Sequence, residues 1–102
     1  MLIVKAPKNQ VLFKSISPYY EKEENGTKPN TVRDLEIGDD RLSKLILWQN
    51  NNDRPLGTIR IMHKHTYNYF DREITDITFW QGLAIISWKH TQITSERKDG
   101  NL

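Results

Sequence analysis

The span from Glu73 to His90 reads EITDITFW, then QG, then LAIISWKH. Two runs rich in β-branched and aromatic residues flank a Gln-Gly pair. That pattern predicts two antiparallel strands, Glu73–Trp80 and Leu83–His90, joined by a tight turn. A hairpin of this kind needs further strands to bury its apolar face, and the rest of the chain offers them. TIRIMHKHT, Thr58 to Thr66, alternates so that Ile59, Ile61, His63 and His65 share one face. KLILWQ, Lys44 to Gln49, is an apolar run and is read as another strand, separated from it by the loop NNNDRPLG. VLFKSI, Val11 to Ile16, opens the series.

One helix interrupts the strands. Ser17-Pro18 resembles a helix start, with Ser as the N-cap and Pro in the first turn. The helix runs to about Asn25, and Gly26 supplies the positive φ that often ends one. Thr31 to Arg33 is extended, because Pro29 turns Lys28 away from helical geometry. Asp40 is expected to cap a single helical turn through Leu42 and Ser43. The fold class expected is mainly β with one prominent helix (α+β), a small and mostly antiparallel barrel.

A length of 102 residues suits one domain with its own core. It is read as residues 1–95, with a polar tail over 96–102. The chain has no cysteine, which excludes disulfides and thiolate metal sites. The apolar start stops at Lys5, too soon for a signal peptide, and no stretch is long enough to span a membrane. A cytoplasmic monomer without membrane contact is expected. Fifteen basic and thirteen acidic residues leave a net charge of +2. That is too small for a protein that coats nucleic acid, so any such role must sit in a local pocket.

The candidate pocket is NGTKPNTVRD, Asn25 to Asp34. With Thr31-Val32-Arg33 extended, Thr31 and Arg33 point one way and Val32 points into the core. Lys28 can fold over the same space. A hydroxyl, an ammonium and a guanidinium would then converge, suiting a phosphate or a base edge rich in acceptor oxygens. The plain alternative is that Lys28 and Arg33 are solvated charges around a helix end.

The pattern Gly26-x-Lys28-x-x-Thr31-Val32-Arg33, after a strand and a short Tyr19-Tyr20 helix, resembles the ASCH domain family of the PUA-like superfamily. With Thr31 it is closer to small bacterial N4-acetylcytidine amidohydrolases. KPNTVR and ITDITFWQGLAIISW are also similar to small ASCH-like proteins of phages and Gram-positive bacteria. The resemblance implies a PUA-like barrel with a cleft for RNA or a modified nucleoside, around Gly26, Lys28, Thr31 and Arg33. Tyr19 and Tyr20 lie on the helix leading into the motif, so at least one of them is expected to border the cleft, with Tyr20 taken as the candidate. Its enzymatic form implies that Lys28 and Thr31 are catalytic together with a carboxylate. In those amidohydrolases the acid follows the middle strands, in a segment this chain shortens, so the candidates are Asp71 and Glu73. A third reading is a small phage-type factor whose partner is a host protein.

Other groups weigh less. His63-x-His65 has metal-like spacing, with His90 or an acid as a third ligand, but more often such residues line a polar face. No metal site and no cofactor is expected. Trp48, Trp80 and Trp88 are read as core rather than base-stacking residues. Asp34 is expected to pair with Arg33 or Arg41.

Overall fold

The computed structural model describes residues 9–51 and 56–91. The boundary proposed at residue 95 and the tail beyond it lie outside these. The elements are β1 (Gln10–Ser15), α1 (Tyr19–Glu24), β2 (Asn30–Arg33), α2 (Asp40–Asn50), β3 (Thr58–His63), β4 (Tyr69–Trp80) and β5 (Leu83–Trp88). They form one five-stranded sheet of order β1-β3-β4-β5-β2, curled into a half-barrel. Three pairings are antiparallel, and β1 joins β3 in parallel.

The hairpin forms as its sequence predicts. Gln81 and Gly82 both take positive φ, 50° and 79°, so the turn follows the right-handed twist of its strands. β4 starts earlier than expected, at Tyr69, and its twelve residues pair with β3 first and β5 later. A register shift between Ile74 and Asp76 bends it at the change of partner. The inner face carries Phe13, Ile59, Ile61, Phe70 and Ile86, all nearly inaccessible. Trp88 lies in the same core, its ring 6.3 Å from that of Phe70. His63 shares the buried face of Ile59 and Ile61, whereas His65 falls in the turn beyond β3 and is exposed.

Lys44–Gln49, expected as a strand, belongs to the eleven-residue helix α2. Local chemistry decides this. Asp39, rather than Asp40, is the N-cap, and its carboxylate accepts from the Arg41 amide at 2.9 Å. Leu42, Leu45 and Trp48 then recur at helical spacing. Leu45 is fully buried, and Trp48 lies so close to Gly57 that a Cβ there would meet its ring.

β1 is an edge strand, and its alternate carbonyls are covered by cations. Lys44 Nζ donates to Gln10 O at 3.0 Å, Arg41 Nη1 to Leu12 O at 3.0 Å and Arg33 Nη1 to Lys14 O at 2.8 Å. Both guanidinium groups lie over the Phe13 ring, at 4.9 Å for Arg33 and 4.6 Å for Arg41. Capping the edge in this way leaves fewer backbone acceptors open to another strand. It also draws β2, which carries Arg33, up to β1 from the far side of the sheet.

Candidate functional site

α1 is short, so its position is set by what it touches. Ser17 does not cap it: the helix starts after Pro18, with no side-chain bond to its first amides. The Ser17 hydroxyl instead donates to Glu21 at 2.8 Å and lies 3.1 Å from His63 Nε2. His63 Nδ1 faces the amides of His65 and Thr66 at 3.0 and 3.3 Å, so it is the acceptor nitrogen. Nε2 then carries the proton and donates to Ser17, which rules out His63 as a base for that hydroxyl. Tyr20 packs inward against His63 and Phe70, with ring centroids 5.1 and 5.4 Å away. At the other end Arg72 donates to Glu24 O at 2.8 Å. These contacts fix the helix face that carries Glu23.

The Asn25–Lys28 loop is tied as tightly. Asn25 Oδ1 accepts from the Thr27 amide at 2.8 Å, and the Lys28 amide reaches back to Lys22 O at 2.9 Å. Gly26 has φ +88°, and a Cβ there would stand 2.9 Å from the His90 ring. Glycine therefore serves both the conformation and the packing.

A cavity of about 470 Å³ opens where β1, α1, the loop and β2 meet. Lys28, Thr31 and Arg33 line it together. Arg33 donates from Nε to Thr31 Oγ1 at 2.9 Å and from Nη2 to Ser15 Oγ at 2.8 Å. Burial pulls its guanidinium below its usual pKa; Glu23 opposes that shift and Arg41 adds to it. It remains a cation at any working pH. Thr31 is only 2% exposed, so its hydroxyl is held at the cavity wall. Lys28 Nζ donates to Asn30 O at 2.9 Å and stands 3.5 Å from Glu23 Oε2.

Several placements differ from expectation. Val32 does not enter the core: it is 47% exposed and borders the cavity together with Thr31 and Arg33. Tyr19, not Tyr20, borders the cavity, since the Tyr20 ring is taken up by the core. Gly26 shapes the loop without lining the cavity. Asp71 and Glu73 are not brought to it either. Asp71 is buried in a two-point pair with Arg60, at 2.7 and 2.8 Å. Glu73 meets Lys89 at 3.6 Å on the surface. Arg33 has no bond to Asp34, and Arg41 pairs with Asp39 at 2.7 Å.

Among the described residues, the carboxylate in the cavity is Glu23, which nothing in the chain's local pattern sets apart from its acidic neighbours. It is 2% exposed and accepts from Ser15 Oγ at 2.8 Å. Its signal was faint: Tyr20 and Glu23 lie three apart, on the one buried face of a short helix. Ser15 follows the Val11, Phe13 alternation, which places it inward. Among the described residues, the wall thus holds four cations (Lys14, Lys28, Arg33 and Lys64), one carboxylate and two buried hydroxyls. Scans of protein-family models and of curated proteins return no match to the chain.

Proposed function

We propose that the chain binds RNA or a modified nucleoside in the cleft built around Lys28, Thr31 and Arg33, as its resemblance to ASCH domains implies. The observation that carries this reading is the convergence of Lys28, Thr31 and Arg33 on one cavity of about 470 Å³. Small-ligand sites commonly span roughly 300–1,000 Å³, so a nucleoside fits this space. The fixed donors suit carbonyl acceptors on a base.

Glu23 favours a second reading, hydrolysis of an N4-acylated cytidine. That chemistry requires a carboxylate beside Lys28 and Thr31, and Glu23 is the acid lining this cavity. In this reading it serves as the acid that Asp71 or Glu73 was expected to supply. In this scheme Lys28 polarises the amide carbonyl, water attacks it, and Glu23 carries a proton from that water to the departing amine.

One experiment separates the two. N4-acetylcytidine is titrated into the wild type and into Lys28→Ala, with heat measured by calorimetry and cytidine followed by chromatography. Heat without cytidine, lost in the variant, supports binding alone. Cytidine release that depends on Lys28 supports the hydrolase. Neither heat nor product, with N4-acetylcytidine or a short RNA, rejects both.

A further inference from the structure

Glu23 is an unusual wall for a cleft lined by cations. A buried ionised carboxylate is unfavourable unless its oxygens are well bonded. Oε1 has one short bond, from Ser15 Oγ at 2.8 Å. Among the described residues, Oε2 has only the long Lys28 contact of 3.5 Å. Lys28 gives its short bond to the Asn30 carbonyl instead. A carboxylate offers about four acceptor positions, so Glu23, itself only 2% exposed, keeps acceptor capacity at the wall of the cavity. Ser15 Oγ passes the influence of Arg33 to Glu23, since it accepts from Nη2 and donates to Oε1. Cation, hydroxyl and anion are thus fixed relative to one another before any ligand arrives.

We propose that Glu23 sets the ligand class of this cleft: it selects a neutral heterocycle carrying an N–H donor beside carbonyl acceptors, and it rejects phosphate. The inference deepens the binding reading above and rests on it. A phosphate group would satisfy Lys28 and Arg33 but would press its own oxygens toward the Glu23 carboxylate. Like charges at such range disfavour each other strongly where water is excluded. A base edge meets both demands. Its N–H donates to Oε2, while its carbonyl or ring nitrogen accepts from Lys28 or Arg33. Removing that N–H leaves Oε2 with its long Lys28 contact alone in the complex, and sites of this type reject such analogues.

The test uses the full chain and two matched pairs: uridine with 3-methyluridine, and cytidine with N4,N4-dimethylcytidine. Inorganic phosphate is titrated separately. The wild type is expected to bind a parent nucleoside at least about tenfold more tightly than its methylated partner, with no saturable phosphate binding. In Glu23→Gln the preference should narrow and phosphate binding should become saturable, as a like charge is removed. Equal wild-type affinity for both members of each pair would overturn the inference while leaving nucleoside binding intact. So would unchanged phosphate affinity in a folded Glu23→Gln. Failure of the wild type to bind any of the nucleosides would instead reject the binding reading itself, and this inference with it. The wild-type pairs decide the matter even if the variant does not fold.

Discussion

Asp71 and Glu23 are both 2% exposed, yet they are held in opposite ways. Asp71 faces Arg60 directly across the β3–β4 ladder and takes two bonds, at 2.7 and 2.8 Å. Arg60 in turn lies 4.0 Å over the Tyr69 ring. Both Asp71 oxygens are thus taken up by short bonds. Glu23 has one short bond from a hydroxyl and one long contact with a lysine that is better bonded elsewhere. Burial alone therefore does not mark a functional acid. In the function proposed above, incomplete pairing beside a cavity does, because the missing bond is one that a ligand can make.

The contrast is broken most severely by Asp71→Ala. Removing Asp71 takes two short charge-assisted bonds from Arg60 and should destabilise the fold by about 3 kcal/mol. The effect sits at the low end of the usual range because Arg60 is 26% exposed and can recover some water. Urea unfolding measures it, and nucleoside affinity of the folded fraction should not change. If affinity falls while stability holds, the roles given to the two acids are reversed.

Arg33→Ala comes next. It removes three hydrogen bonds and the clasp between β1 and β2, for a loss of roughly 2 kcal/mol. Unlike the change at Asp71, it should also abolish nucleoside binding, because Arg33 belongs to both the frame and the cleft. Asp39→Ala should cost about 1 kcal/mol through loss of the α2 cap. Arg41 holds the Asp39 carboxyl down at about 2, from an ordinary 3.8, through its side chain first and its amide second. A depressed carboxyl stabilises the fold above its ordinary value and loses that effect as pH falls toward the folded one. The difference between wild type and variant should therefore be full at pH 7 and fade between about 4 and 2, as thermal melts would show. Glu23→Gln should move stability least, by under about 1 kcal/mol in either direction, since an incompletely paired buried charge contributes little. A loss as large as that of Asp71→Ala would show Glu23 to be structural.

What the sequence made legible was local. The Gln81-Gly82 hairpin, the Gly26 turn and the shared face of Thr31 and Arg33 follow from residues only a few positions apart. α2 was misread because LILW fits a buried strand as well as a helix, and the deciding cap, Asp39, stood in a cluster of four acids. The role of Glu23 was not legible, because it depends on Ser15, eight residues away on another element. The edge of β1 is the extreme case. Its carbonyls are covered by side chains 34, 29 and 19 residues distant, and nothing in the local pattern records such pairings. The same distance hides the open side of the barrel, where the cleft lies.

The claim that the cleft is a binding site is tested most directly by backbone amide NMR of the wild type during titration with N4-acetylcytidine. The expected result is saturable shifts centred on Ser15, Glu23, Lys28, Thr31 and Arg33, with the Arg60–Asp71 region unmoved. Saturable shifts centred instead on Tyr69–Arg72 or on the outer face of α2, or no shifts at all, would contradict it.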